Sequence, residues 1–440
     1  MLDDNTNRGM HDVIVTKCDI ISSDGKHIND LFEDPWNGIT LNESMGLLEE
    51  DPQFVSGEIF LKDEVDIFNR MKLVGDEAVV LEFKTPGKKP IKFTGRVYSV
   101  DVFRGIDTEF SGIAVKFCSP EKIVSEQLKF NRSYRNVLYS DMIKDLFSQL
   151  NDISQKKIYV EPTKNLGSMI INNQSPIYSI NKAIEVSRSS KYNGANYVFY
   201  ESVDGIFKCS SLEKMIDPSE EKNKKPFKYV LETTTGEKND VRKLAAIRSF
   251  RVLKMPNMVE DISSGMYGST VVSNDLMKRK VSYSNFDYVD SYDKYKSVNY
   301  NEIMKGGQQT KTALTNNENF RSSSFVHFIP KNYKSFDTEI NFNDERSDLS
   351  LIRRSQMRQI NSVQLQVVVS GDSERRVGDV VDLVIPSVES QSDKLDELLS
   401  GRYLVSKIKH MVSSGTSQGY TTVMRVVKDS YGTPLPKRVG

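Results

Sequence analysis

Residues 11–21 (HDVIVTKCDII) alternate apolar and polar positions, the pattern of a strand with one buried face. Similar segments follow at 55–62 (VSGEIFLK), 78–84 (AVVLEFK), 91–103 (IKFTGRVYSVDVF) and 110–118 (FSGIAVKFC). The turn formers Gly75-Asp76, Pro86-Gly87 and Gly105 lie between them. Strands at this spacing, with no helix between them, predict an antiparallel barrel or sandwich.

The period then changes. Ser119-Pro120-Glu121 reads as an N-cap, first helical residue and first-turn acid ahead of EKIVSEQLKF. Ser140-Asp141 opens a second helix, with Met142, Ile143, Leu146, Phe147 and Leu150 on one face. Ser175-Pro176 opens a third, with Ile177, Ile180, Ala183 and Ile184 as its buried stripe. Residues 195–209 form a hairpin turning at Asp204-Gly205. From about 215 to 345 the pattern weakens to short strands at 246–254 and 267–273 and polar connections at 282–300 and 305–325. Order returns with a helix at 347–359 and strands at 361–370, 379–386, 401–412 and 419–428.

The expected fold is thus α+β, mainly β, with two similar antiparallel β-barrel modules flanking an α+β middle domain. The pattern places the first module at 1–119, the middle domain at 120–250, an irregular arm with short strands at 251–345, and the second module, with a leading helix, at 346–440.

The two β regions share turn landmarks in the same order. Val74-Gly75-Asp76 precedes the strand carrying Val79, Leu81 and Phe83, and Val377-Gly378-Asp379 precedes the one carrying Val381, Leu383 and Ile385. Gly95-Arg96 and Gly401-Arg402 follow 20 and 23 residues after Gly75 and Gly378, and Gly112 and Gly419 lead the final strands. Glycine suits turns that need positive φ and the tight corners of a barrel. Gly75, Asp76, Gly95, Gly112, Gly378, Asp379, Gly401 and Gly419 are therefore candidate structural turn residues of a duplicated module. In a trimer, two such modules per chain would give six similar units around one axis, able to face a sixfold partner on one side and a threefold partner on the other.

Composition supports assembly more than chemistry. The chain has 440 residues, enough for two to four domains, with 38% hydrophobic and 27% charged residues. Lys plus Arg and Asp plus Glu balance at 60 each, without the basic excess of sequence-independent nucleic-acid binders. Cys18, Cys118 and Cys209 are too dispersed for a disulfide framework or zinc site, and reduced, half-buried thiols are expected at Cys18 and Cys118. Residues 1–10 lack the apolar core of a signal peptide, and no stretch approaches the ~18 apolar residues of a membrane span. A soluble protein made in a reducing cytoplasm is expected.

Catalytic motifs are missing. His11, His27, His327 and His410 stand at no metal-ligand spacing, and there is no HExxH, CxxC, nucleophile elbow or phosphate-binding P-loop. His410 is expected at a barrel edge, on a surface or interface, and residues 85–90 as a basic hairpin tip. The acidic groups Glu49-Glu50-Asp51, Glu220-Glu221 and Asp287/Asp290/Asp293 read as solvated loops. Trp36, the single tryptophan, lies in a turn-rich loop, half-buried or as an interface anchor. No catalytic residue, cofactor or metal is expected.

The segments SGEIFLKD…GDEAVVLEF…FTGRVYSVDVF, NQSPIYSINKAIEVSRSSKYNGANYVFYESVDGIFKCSSLEKM and RVGDVVDLVIPS…SGRYLVSKIKHMV…GYTTVMRVV resemble the baseplate hub proteins of contractile-tailed phages, a family that includes the hub part of type VI secretion spike proteins. Its helix-then-hairpin pattern runs here from Pro176 through Tyr197–Glu201 to Phe207. The resemblance covers about two thirds of the chain and implies a homotrimer forming a pseudo-sixfold torus in the virion tail baseplate. One face would meet the tail tube or its initiator protein, the other the central spike, with neighbouring baseplate proteins around it. The channel would pass genome and tape-measure protein. Residues 255–345 are longer and less regular than that pattern. Two alternatives stand beside it: a tail-associated cell-wall hydrolase with its site at 255–345, and a receptor-binding spike subunit.

Overall fold

The computed structural model describes residues 13–22, 25, 27–28, 38–62, 69–70, 72–104, 111–150, 156–231, 244–275, 279–287, 291–299, 301–302, 325–331, 342–387, 394–414 and 419–433. His11, Trp36, Gly105 and Asp290, and nearly all of the 305–325 connection, lie outside these residues.

The first β region supplies β1 (Ile14–Ile21), β2 (His27–Ile28), β3 (Gly38–Ser44), β4 (Ser56–Lys62), β5 (Ala78–Lys84), β6 (Ile91–Arg104) and β7 (Ser111–Cys118). Alternation survives in the burial: β4 and β5 each bury every second residue. These strands pair in the order β2-β1-β5-β6-β7-β4-β3 around a core that includes Leu41, Leu61, Leu81, Phe83 and Phe117.

The middle region carries α1 (Pro120–Gln127), β8 (Phe130–Leu138), α2 (Tyr139–Ser148), β9 (Lys157–Val160), β10 (Leu166–Gln174), α3 (Pro176–Ile184), β11 (Tyr197–Ser202), β12 (Ile206–Ser211) and α4 (Leu212–Ile216). The apolar stripes of α2 and α3 meet here, with Met142, Ile143, Leu146, Ile180 and Ala183 fully buried. Ser175 caps α3 by accepting from the Tyr178 N–H, with Pro176 next. Ser119 occupies the N-cap position of α1 but makes no side-chain cap. Its hydroxyl binds Glu201 instead.

β13 (Phe227–Leu231), β14 (Ala246–Lys254), β19 (Val363–Ser370), β20 (Val380–Val384), β21 (Gly401–Ser413) and β22 (Gly419–Lys428) form a second barrel. It is closed: β13-β14-β19-β22-β21-β20 returns to β13, the β13 contacts being parallel and the others antiparallel. Its first two strands therefore come from 227–254, far upstream of the other four. Between them lie α5 (Met258–Ser263), β15 (Gly268–Asp275), β16 (Lys280–Asp287), β17 (Asn301–Glu302), β18 (Val326–Lys331) and α6 (Phe342–Ile360). β15 pairs with β16 and β18, and this sheet packs through Val271 and Phe286 on Leu351 of α6. β17 pairs with β23 (Ser430–Tyr431) near the end of the described chain.

Both barrels use their strands in the same order. Along the chain, β1, β3, β4, β5, β6 and β7 match β13, β14, β19, β20, β21 and β22. In space β1-β5-β6-β7-β4-β3 matches β13-β20-β21-β22-β19-β14. Two differences stand out: β1 runs antiparallel to β5 where β13 runs parallel to β20, and β3 meets β21 of the other barrel, with no ladder to β1 among the described residues.

Candidate assembly site at the seam between the barrels

The turn before β5 and the turn before β20 are held by the same pair of backbone bonds. The Asp76 N–H donates to the Val97 carbonyl and the Val97 N–H to Glu77, both at 2.9 Å. The Gly378 N–H donates to Val405 and the Val405 N–H to Asp379, also both at 2.9 Å. An acidic side chain then fastens each turn. Glu77 accepts from the Val74 N–H at 2.8 Å, and Asp379 accepts from the Arg376 N–H at 3.0 Å.

This register locates the eight turn residues. Asp76 (φ +72°) corresponds to Gly378 (φ +85°), while Gly75 (φ +109°) precedes that position. Glu77, which the turn pattern does not single out, is the partner of Asp379. Its sequence signal is an acid three residues after the first backbone donor, Val74, as Asp379 follows Arg376. β6 and β21 align through Val97 and Val405, so Gly95 falls opposite Tyr403 of the repeat and Gly401 (φ +118°) opposite Phe93. Likewise Gly112 matches Thr421, and Gly419 lies beyond it. At Gly95 the backbone runs close: a Cβ there would lie 2.5 Å from the Phe93 ring and 2.9 Å from the Cys118 carbonyl.

β3 joins the barrels. It pairs antiparallel with β21 from Ser44–Lys407 to Gly38–Ser413, beyond the stretch of β21 that pairs with β20. Across this ladder the apolar cores merge: Val412 and Tyr420 of the second barrel pack with Ile39, Leu41 and Phe83 of the first. Phe83 meets Tyr420 edge-on with ring centres 5.6 Å apart. Antiparallel pairing with one dry face is a strong, register-specific contact.

Polar groups lock the seam at both ends. Asp51 accepts from Lys407 Nζ at 2.9 Å and Arg425 Nη1 at 2.6 Å. At the other end the basic tip of residues 85–90 docks on the loop after β19. Thr85 Oγ1 donates to the Gly371 carbonyl at 3.0 Å, Ser373 Oγ to the Lys89 carbonyl at 2.8 Å, and Lys88 Nζ to Asp372 at 2.7 Å. Burial opposes ionisation of Asp372, but the Lys88 hydrogen bond and charge hold its carboxyl below the ordinary range.

His410 is not at an edge, because β21 has a strand on both sides there. It is fully buried, its Nδ1 lies 2.7 Å from the Tyr420 hydroxyl, and burial lowers its pKa to about 3. Beside it in the seam, Glu43 is fully buried and neither carboxyl oxygen has a well-formed hydrogen bond, although Ser202 is adjacent. Burial raises its pKa to about 7.

The middle region is tied in by a buried charge network. Glu201 accepts from the Val55 N–H at 3.0 Å, from Ser119, and from Lys156 Nζ at 2.6 Å. Lys156 also pairs with Glu121 at 2.9 Å. Tyr200, next along β11, donates to the Val377 carbonyl at 3.2 Å, at the turn of the second barrel.

The three cysteines are buried and unpaired. Burial pushes the Cys18 thiol up to about 12 and that of Cys118 to about 11. Among the described residues no group of three or more His, Cys, Asp or Glu is placed to hold a metal ion, and no helix is long and apolar enough to cross a membrane. An open groove of about 1300 Å³ lies between the β3–β4 connection and α1, lined in part by Glu50, Phe54, Tyr98, Lys122 and Glu126.

The fold is shared with the tail protein from Neisseria meningitidis MC58 (10% identity, 94% of this chain and 96% of that one, TM-score 0.56) and the 43 kDa tail protein of prophage MuSo2 from Shewanella oneidensis (9% identity, 96% and 99%, TM-score 0.53). The chain is, more particularly, a relative of phage baseplate hub proteins: it is 21% identical over 413 residues to a probable baseplate hub protein of Vibrio phage KVP40, covering 88% of this chain and 89% of that protein. No protein-family model matches the sequence.

Proposed function

We propose that the chain is a structural, non-enzymatic hub of a phage tail baseplate. Three copies would assemble into a pseudo-sixfold ring that joins the tail tube, or its initiator, to the central spike. The ring would leave a channel for genome and tape-measure protein, with other baseplate proteins around it. The observation that carries the reading is the repetition of one barrel topology inside a single continuous sheet. A threefold ring of such chains presents six like modules, which can match sixfold and threefold partners on opposite faces.

An architectural role is supported by how the buried acids are used. Glu161 is saturated by the hydroxyls of Ser189, Ser210 and Ser211, and Glu213 accepts the Gly194 and Lys296 N–H groups at 2.6 and 3.0 Å. These two acids hold backbone and hydroxyls in place and so serve as braces. The mass of the purified chain by light scattering tests the reading. Three chains per particle are expected, and a monomer at every concentration overturns it.

A further inference from the structure

The ladder that joins the two barrels inside the chain has an unused counterpart in each barrel. β6 is the repeat of β21. Its residues Ile91–Arg96 pair with β5, and beyond them the same edge of β6, from Ser99 to Arg104, faces no strand among the described residues. On β21 the matching stretch is the one that β3 covers. β14 is in turn the repeat of β3. Apart from the Ala246 and Ile247 contacts with β13, its outer edge from Ser249 to Lys254 also meets no strand among the described residues.

The two edges fit each other as β21 fits β3. Val102 stands where His410 stands, and Val252 where Leu41 stands. His410 and Leu41 are partners across the seam and both are 0% exposed, whereas Val102 is 37% and Val252 39% exposed. Phe103 and Leu253 are exposed beside them. Exposed apolar residues clustered on an unpaired edge mark a strand-addition surface.

We infer that β6 of one copy pairs antiparallel with β14 of a second copy of this chain, repeating the internal β3–β21 ladder. In this register Val102 lies opposite Val252, Phe103 opposite Arg251 and Arg104 opposite Phe250, and the match to β3 ends at the β14 bulge between Val252 and Lys254. Val102 and Val252 bury each other, and Arg104 and Arg251 each reach an aromatic ring. Each copy offers one edge of each kind, so the contact is head-to-tail and can close a ring. The inference rests on the hub reading above and names the contact by which copies join.

The test uses the full chain carrying Val102→Cys and Val252→Cys, oxidised mildly and run on a denaturing gel; its native cysteines are buried. Linked dimers and trimers are expected. They should form roughly tenfold faster than with Val102→Cys and Phe250→Cys, because opposite Cβ atoms lie about 5 Å apart and shifted ones about 7–8 Å. The double variant Val102→Glu and Val252→Glu, at exposed sites, should keep the parent's circular dichroism spectrum yet lose the oligomer. If the chain remains a trimer but the in-register pair does not link and the glutamates leave the mass unchanged, this contact is wrong while the hub reading stands. If the parent chain is monomeric, both fall.

Discussion

Tyr98 and Ser406 are the extra residues of the same β-bulge, one in each barrel. The β6–β7 register slips between Val97 and Ser99, and the β21–β22 register slips between Val405 and Lys407, in each case just after the valine that holds the turn. A bulge bends a strand and fixes local twist, so a shared one points to a shared module more firmly than shared glycines do. The surroundings have diverged. Ser406 is buried under the seam, and Tyr98, on the free side, is 55% exposed.

The turn of the second barrel should be the less tolerant of the two. Gly378 has φ +85° and a Cβ there would lie 2.6 Å from the Tyr200 hydroxyl. Gly378→Ala is expected to cost about 2–3 kcal/mol, the left-handed penalty plus the lost Tyr200 bond. Asp76→Gly, at the matching φ +72°, should stay within about 1 kcal/mol of wild type. Urea unfolding of both variants measures the contrast, and equal losses would contradict the proposed equivalence.

Much of the fold is legible from alternation and caps. Val79, Leu81 and Phe83 of β5 and the stripes of α2 and α3 are buried as their spacing requires. The barrel closure is not legible. β13 is five residues long, binds β20 and β14 in parallel, and sits over 100 residues before β19. A local pattern carries no information about such distant pairing. The turn register was hidden for a related reason. Gly75 and Gly378 look alike as letters, but backbone bonds to Val97 and Val405 set the alignment. His410 reads as an edge residue because nothing in the sequence near it announces β3 as its second neighbour.

Glu43 should make stability fall with rising pH. Its pKa rises from 4.5 to about 7 on folding, so the folded chain holds a proton that the unfolded chain releases. The stabilisation is fully present below about pH 4.5 and is lost as pH rises through about 7, amounting to at most about 3 kcal/mol. Glu201, Glu213 and Asp429 are also raised, chiefly by burial, so the difference from a variant isolates Glu43. Glu43→Gln should be more stable than wild type at pH 8 and nearly equal at pH 4.5. Urea midpoints at the two values decide this. A constant difference would remove Glu43 as the titrating group.

Asp51 should matter more than an ordinary surface acid. Its side chain is 3% exposed and bridges Lys407 and Arg425, whose side chains are 27% and 23% exposed. Asp51→Asn is expected to cost about 2 kcal/mol, between the values for exposed and fully buried pairs. Hydrogen exchange should show the β3–β21 amides opening more readily, with β5–β6 amides unchanged. Uniform loosening would mean that Asp51 stabilises the whole chain and not the seam.

The central claim, that two copies of one barrel per chain make a ring, is tested most directly by counting lobes. Negative-stain class averages of the purified chain, viewed down the particle axis, should show six similar lobes around a central hole with true threefold symmetry. Three lobes, or a particle without a hole, would contradict it.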